Sequence, residues 1–360
     1  MKILQLIHKP QNRGAETFAC QISGHLKALG HQVKIVAIFE GNATLPYEGE
    51  IICLNASQGN RFLDLRGWRK LSKIISSYQP NVVQANAGDT LKYAVFSKII
   101  FDWKAPILFR NASEVGRYLT SPFQKRYNSF LYRKIDWVAS VSGVSERDLL
   151  EHFPFLKGKT EIIPIGLEIK KQESLVRLKP FSVKHIVHVG GFSFEKNHKG
   201  LLRILSLILE KVPQVHLHLV GDGPLKEEIE LEVKKMKLES HVSFYGFVNN
   251  PLAFIDAADV LVLPSIIEGL PGVILEGMYC KTPVVAYNVG GISEIVNGDT
   301  GILVEKNEEQ KFAEGVLKSI NQPENVRIDN AYRMVVKRYM NEDIALKFVN
   351  SYEKIVTDEE

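Results

Sequence analysis

A chain of 360 residues with 45% hydrophobic and 24% charged side chains has a soluble globular profile, and it is long enough for two domains. A net charge of +4 is too small to argue for nucleic acid, but it suits anionic substrates or an anionic membrane surface. No run of about 18 uncharged apolar residues occurs, which argues against a membrane-spanning helix. Cys20, Cys53 and Cys280 form no Cys-x-x-Cys pair, which argues against a disulfide framework or zinc site and for a reduced, cytosolic setting.

The opening run, Lys2–Ile7, is too short for a signal peptide and lacks a small-residue cleavage site, so it is expected to be a buried strand. A helix is predicted from about Gly14 to Leu29, with Phe18, Ile22, Leu26 and Leu29 at helical spacing and Gly30 as its stop. Val33–Phe39 follows as a strand. This βαβ unit implies a parallel sheet with right-handed crossovers, continued by Val82–Gln84 and Trp137–Val141. Residues 1–166 are assigned to this first domain, and the polar stretch 167–182 to a linker.

A second series fills residues 183–340. Its strands are His185–Val189, Val215–Val220, Val242–Phe244, Val260–Leu263, Val284–Ala286 and Gly301–Val304. Helices are expected at Lys199–Glu210, Leu225–Met236 and Gly272–Tyr279. A last helix at about 341–357 is expected to pack back on the first domain. The fold class is thus α/β, with two Rossmann-like, doubly wound parallel-sheet domains. Ligands of such sheets bind beyond the carboxyl ends of the strands, so two facing domains would form a cleft there.

The most informative stretch runs from Leu263 to Met278. A strand ends, a turn rich in proline and glycine follows, and a helix starts near Pro271 or Gly272. Backbone N–H groups at Gly269, Leu270, Gly272 and Val273 would point out of that start and form an anion site suited to a diphosphate. Glu268 precedes the amides. Glu276 lies among apolar neighbours, where ribose hydroxyls could serve as its partner. The spacing alone carries nothing, since Glu40 and Glu48 share it. The context carries it, including Gly290-Gly291-Ile292-Ser293-Glu294 downstream.

This region resembles the donor-binding domain of retaining GT-B glycosyltransferases of the family four type, marked by a Glu-x7-Glu motif. Gly221-Asp222-Gly223-Pro224-Leu225, Phe244-Tyr245-Gly246-Phe247-Val248, Ala258–Ser265 and Thr300–Val304 resemble family landmarks in the family's order. In the first half, Arg13-Gly14-Ala15-Glu16 resembles the glycine turn of the first helix, and Ala139–Ser142 a strand end. The resemblance implies that Glu276 holds ribose hydroxyls and that Glu268 contacts the donor hexose. It implies that Phe247 and Val248 hold the base through main-chain groups. It also implies that Lys196, following Gly190 and Gly191, neutralises the diphosphate, and that Gly14 lets the first turn approach the phosphates. Lys196 and Glu268 are the catalytic candidates.

Three departures stand out. Gly191 occupies the place where the family usually has a phosphate-binding arginine, so Arg13 is a candidate substitute. Phe109-Arg110-Asn111-Ala112-Ser113 stands where a loop often carries histidine, which makes Arg110 and Asn111 candidates for acceptor or phosphate contacts. Ile165-Gly166 replaces a common Asn-Gly. No Asp-x-Asp occurs in the chain, so catalysis is expected to need neither metal nor other cofactor. His216 and His218 share a strand face without a third ligand in view and are taken as a polar face. Gly221-Asp222-Gly223 lacks the third glycine of a dinucleotide fingerprint.

Between Arg110 and Lys134, basic residues alternate with aromatics. Phe123, Tyr127, Phe130 and Leu131 would line one helix face, with Lys125, Arg126 and Arg133 on another. Phe101 and Trp103 would extend a surface able to lie on an anionic membrane.

The expected activity is transfer of a hexose-type sugar from a UDP- or GDP-sugar to a glycan or lipid-linked acceptor, in bacterial surface polysaccharide synthesis. The expected location is the cytoplasm, peripheral on the inner membrane face. The alternatives are a sugar-nucleotide epimerase of the same fold and a non-catalytic carbohydrate-binding protein.

Overall fold

The structure is a computed structural model that describes residues 1–57, 59, 63–169, 176–178 and 183–357. The chain divides into two compact units, Met1–Glu168 with Met340–Glu360, and Ile169–Tyr339. Most of the stretch assigned to a linker, residues 170–175 and 179–182, lies outside the described residues.

Unit 1 holds, in chain order, β1 (Lys2–Ile7), α1 (Gly14–Ala28), β2 (Gln32–Ala37), β3 (Ile51–Cys53), α2 (Leu65–Tyr78), β4 (Val82–Ala85), α3 (Gly88–Phe101), β5 (Ile107–Asn111), α4 (Pro122–Tyr132), β6 (Trp137–Ser140), α5 (Gly143–His152) and β7 (Thr160–Ile162). The strands form one parallel sheet in the order β3-β2-β1-β4-β5-β6-β7. Strands β3 and β7 are too short to show a periodicity. Strand β5 corrects the reading of Phe109-Arg110-Asn111 as a loop. Arg110 and Asn111 pair with Ala139 and Ser140 of β6, and sheet pairing overrides the polar composition.

Unit 2 holds β8 (Lys184–Val189), α6 (His198–Lys211), β9 (Val215–Val220), α7 (Lys226–Lys235), β10 (Val242–Gly246), α8 (Leu252–Asp256), β11 (Val260–Leu263), α9 (Gly272–Tyr279), β12 (Val284–Tyr287), β13 (Ile302–Val304), α10 (Glu309–Asn321) and α11 (Asn325–Arg338). Its parallel sheet runs β10-β9-β8-β11-β12-β13. Both sheets are buried on both faces, which is why their strands are short continuous apolar runs.

The last helix, α12 (Asn341–Thr357), belongs to unit 1. Its Ile344, Phe348, Tyr352 and Ile355 pack with Phe18, Ile22 and Leu26 of α1 and with Ile3 of β1. Burying each such side chain contributes about 1.5–3 kcal/mol. A buried polar ring fixes the docking. The Tyr352 hydroxyl donates to Gln84 Oε1 at 2.5 Å and accepts from Gln5 Nε2 at 3.3 Å. Asn86 Nδ2 donates to Gln5 Oε1 at 2.9 Å, and Gln84 Nε2 donates to Asn86 Oδ1 at 2.8 Å. Interlocked partners of this kind specify one arrangement where apolar packing alone would tolerate several.

In each sheet the chain winds outward one way, then returns to wind the other. The reversal lies between β1 and β4 in unit 1 and between β8 and β11 in unit 2. Crevices beyond the carboxyl ends of strands at such reversals are where ligands of these sheets bind.

Candidate functional site

In unit 2 the loops after β8 and β11 are tied together across the reversal. After β8 a single 3-10 turn, Phe194–Lys196, ends at Asn197 in the left-handed conformation, φ 53°. Asn197 accepts from Gly200 N to cap α6, while its Nδ2 donates to Pro264 O at 3.0 Å. Ile266 N donates to Glu195 O at 2.8 Å. These bonds fix Lys196, whose Nζ lies 2.6 Å from Glu268 Oε1. The side chains retain 22% and 11% exposure, so the pair is sheltered but reachable.

Helix α9 begins without a side-chain cap. None of the amides of Gly269, Leu270, Gly272 and Val273 donates to a protein acceptor among the described residues. Four unpaired N–H groups at a helix start are a site for an anion. Gly290, at φ 55°, lies so close to the Glu268 carbonyl that a Cβ could not be accommodated. Gly291 N donates to Gly269 O at 2.6 Å. The paired glycines after β12 therefore clamp the backbone that carries Glu268. Glu276 is partly exposed, and its carboxylate has no hydrogen-bond or ion-pair partner among the described residues. Desolvation by its apolar neighbours pushes it up to about 7.

Gly190 and Gly191 follow β8 without positive φ. A Cβ on Gly191 would make only an ordinary contact with Asp222 O at 3.4 Å, so a side chain fits there. Gly221, at φ 140°, does need to be glycine, because it lies against the Gly190 carbonyl. Phe247 and Val248 sit in the loop after β10, with Phe247 53% exposed. The strand-end loops of unit 2 and the first two turns of α9 thus hold the residues expected to meet a donor there.

Sequence reasoning missed the polar floor beneath this site. His188, on β8, hydrogen-bonds Val262 O through Nδ1 at 2.9 Å, while its Nε2 is buried without a partner. Both ring nitrogens of His198 and the Ser265 hydroxyl are likewise buried and unpaired. Desolvation lowers His188 to about 4 and His198 to about 2, so both rings are neutral at pH 7. His216 and His218 are not isolated on their strand face. His218 meets His185 at 2.9 Å and the Tyr245 hydroxyl at 2.8 Å, and His216 meets Ser243 Oγ at 2.8 Å.

Unit 1 is organised differently. Gly14 opens α1, and a Cβ there would meet no atom of the described residues within 4 Å. Arg13 is exposed beside it. Arg110 is not at the surface. Strand alternation turns it under α1, where it is 2% exposed and its guanidinium lies 4.2 Å from the centre of the Phe18 ring. Its Nε and Nη1 are buried and unpaired, and desolvation lowers it to about 10. Asn111 is also buried, its Nδ2 spent on Ser140 Oγ and Ser145 O. Neither residue is presented to an acceptor, which corrects the expectation placed on them. A cluster the sequence reading did not single out crosses the reversal instead. His8, directly after β1, lies 3.3 Å from Asp89 in the first turn of α3, and Asp89 meets Lys92 at 2.5 Å. The available signal was positional, since His8 immediately follows the first strand.

The aromatic and basic helix is α4. Leu131 and Tyr132 are buried and Tyr127 packs near Phe96, which leaves Phe123 at 79% and Phe130 at 41% exposure. Lys125 and Arg126 are exposed, and Arg133 stacks on Phe155. Trp103 does not extend this surface. It is 7% exposed in the core, with Nε1 bonded to Ser97 Oγ, and Phe101 packs on the same core. No helix among the described residues is long and apolar enough to cross a membrane.

Residues 12–171 match the model of Glycosyltransferase Family 4, and residues 171–334 match that of Glycosyl transferases group 1. The chain belongs to this glycosyltransferase family. The two matches meet at the join between the units, so both sheets of this family member are covered. It is 25% identical over 260 residues to an uncharacterized glycosyltransferase of Methanocaldococcus jannaschii, MJ1059, covering 66% of this chain and 64% of that protein. It is 30% identical over 230 residues to a Campylobacter jejuni N-acetylgalactosamine-N,N'-diacetylbacillosaminyl-diphospho-undecaprenol 4-alpha-N-acetylgalactosaminyltransferase, covering 61% of this chain and 60% of that one. The chain matches less than two thirds of the length of each of these relatives. The crystal structure of Anabaena HepE in complex with UDP-glucose superposes with a TM-score of 0.82 at 21% identity, over 98% of this chain and all of that one. The fold is GT-B.

Proposed function

We propose that this family member is a retaining hexosyltransferase that takes its sugar from a UDP- or GDP-sugar. The observation that carries the reading is the set of four unpaired amides at the start of α9, flanked by the Lys196–Glu268 pair and by the partnerless carboxylate of Glu276. Diphosphate oxygens fit the amides and the ammonium. Ribose hydroxyls fit Glu276, which would otherwise keep a desolvated acid with nothing to bond. Charge grows on the diphosphate as the glycosidic bond breaks. Fixed donors aimed at that charge stabilise the transition state more than the ground state. UDP is the favoured nucleotide, because the HepE complexes hold UDP and UDP-glucose.

The acceptor is assigned to unit 1 and to the class of glycans or lipid-linked sugars, in bacterial surface polysaccharide synthesis. The Campylobacter relative's printed name, with its diphospho-undecaprenol, supports that class. Exposed Phe123 beside Lys125 and Arg126 suits a peripheral position on the anionic inner face of a membrane.

The test is a thermal-shift screen of nucleotide sugars, since a ligand that binds only the folded state raises Tm. One UDP- or GDP-sugar should stabilise the wild type, with the effect lost in Glu276→Ala. No shift with any nucleotide sugar would overturn the reading. Activity should persist in EDTA, because Lys196 and the amides supply the positive charge. Activity restored only by added Mn²⁺ or Mg²⁺ would show a metal-dependent mechanism.

A further inference from the structure

The loops after β8 and β11, residues 190–197 and 264–271, contain one lysine and no arginine. That lysine is already engaged. Lys196 Nζ donates to Glu268 Oε1 at 2.6 Å, and among the described residues neither group has another hydrogen-bond or ion-pair partner. The backbone is not free to open the pair. Ile266 N donates to Glu195 O and Asn197 Nδ2 to Pro264 O, which ties the two loops together. Gly290 and Gly291 hold the carbonyls of Glu268 and Gly269 from the other side. The lysine stem is confined as well. A Cβ on Gly190 would lie 3.4 Å from Lys196 Cδ and 3.2 Å from His188 Nε2, so the stem and the buried ring flank that glycine. Parting the two charges is therefore a matter of side-chain rotation at their tips.

We infer that Glu268 competes with the diphosphate for Lys196, and that this competition makes unit 2 favour a nucleoside-diphosphate sugar over the bare nucleoside diphosphate left after transfer. The inference rests on the reading of the chain as a glycosyltransferase whose donor binds unit 2. An ammonium has three N–H donors, but holding both anions at once brings two like charges side by side in a sheltered place. A bare diphosphate must therefore draw the ammonium away and leave a half-buried carboxylate without a partner, which offsets much of the new contact. A sugar nucleotide meets no such penalty. Its hexose hydroxyls lie next to the diphosphate, so the carboxylate can turn to accept from them while the ammonium turns to the phosphate oxygens. Both charged groups then keep charge-assisted hydrogen bonds. Once the hexose has gone, its hydroxyls go with it, Glu268 returns to Lys196, and the diphosphate is released. The absence of a second cation at Gly191 makes the exchange decisive, because no other side chain of these two loops can hold the diphosphate while Lys196 is engaged.

The experiment measures binding to the full chain by calorimetry at low salt. The probes are UDP and GDP, their sugar forms UDP-glucose, UDP-N-acetylglucosamine and GDP-mannose, and the monophosphates UMP and GMP. Glu268→Gln, with Glu268→Ala as a second variant should the first fold poorly, should bind the bare diphosphate about tenfold more tightly than the wild type does. The sugar nucleotide should be bound no more tightly, so the preference for it over the bare diphosphate shrinks by about the same factor. The monophosphate, which lacks the second phosphate, should gain less than about threefold. In a Lys196→Met background the same change at Glu268 should also give less than about threefold, since no ammonium remains to be freed. A bare diphosphate bound no more tightly by either Glu268 variant would overturn the inference. An equal gain in the Lys196→Met background would overturn it too, by showing plain repulsion in place of competition for one ammonium. Failure of the wild type to bind any of these probes would instead overturn the donor reading.

Discussion

The two sheets reverse at equivalent places, and at each reversal a nitrogen-bearing side chain faces a carboxylate, yet the pairs differ in kind. In unit 2 the pair is Lys196 with Glu268 at 2.6 Å, surrounded by unpaired amides and by glycines that leave the backbone open. In unit 1 it is His8 with Asp89 at 3.3 Å, and neighbouring polar side chains turn inward. Asn86 joins the ring around Tyr352, Asn111 bonds the start of α5, and Arg110 lies on Phe18. An ammonium offers fixed charge, whereas an imidazole can take up or release a proton. One architecture thus places a lysine–glutamate pair at one reversal and a histidine–aspartate pair at the other.

The comparison breaks most decisively at Lys196. Lys196→Ala should reduce single-turnover rate at saturating donor by roughly 10²–10³ with little effect on base or ribose recognition. Gly191→Arg in that background should restore part of the loss, because the backbone at Gly191 lacks positive φ and a side chain meets only Asp222 O. A wild-type rate in Lys196→Ala would leave the α9 amides as the stabilising group.

Glu276 sharpens the contrast from the binding side. Glu276→Gln should weaken nucleotide binding about tenfold, on the order of one charged hydrogen bond. It should also stabilise the free protein, but only at higher pH. Burial raises the carboxyl to about 7 from its ordinary 4.5, so the wild type loses stability as pH rises through that window, while the amide does not. The Tm of the variant should exceed that of wild type at pH 8 and equal it at pH 4.5. Equal values at pH 8 would place the carboxylate in a better solvated setting.

Acid should separate the units. Burial lowers His188 to about 4, His218 to about 3 and His198 to about 2, from 6.5. Their contribution to stability is therefore present above pH 6.5 and is lost as pH falls below it. The matching group in unit 1, Asp89, is depressed from 3.8, so its contribution is lost only at more acid pH. Hydrogen exchange at pH 4.5 should show β8 and β9 losing protection before β1 and β4. The reverse order would show that the buried histidines find compensating partners when charged.

The smallest effect concerns α4. Replacing Lys125, Arg126 and Arg133 together should reduce sedimentation with anionic vesicles by up to about 1 kcal/mol per charge, leaving nucleotide binding unchanged. Equal sedimentation would assign this face to another partner.

The sequence by itself determined the two doubly wound sheets, because short apolar strands, glycine stops and helical spacing are local signals that recur in each unit. It also singled out the candidate donor-side residues of unit 2. Glu268, the four amides and Glu276 lie within one strand–turn–helix segment, whose chemistry is visible without knowing what packs on it. Lys196 entered through the family resemblance of the stretch after β8, from Gly190 to Asn197. Tertiary structure alone decided the rest. Strand order made β1 and β4 neighbours, and so joined His8 to Asp89. Sheet pairing turned Arg110-Asn111 from an expected loop into a buried strand end. A composition that looked like a basic aromatic surface lost Trp103 to the core, because its bond to Ser97 satisfies the indole N–H there. Which polar side chains face a ligand and which face each other depends on contacts between segments distant in sequence, and those are set by the packing of the whole sheet.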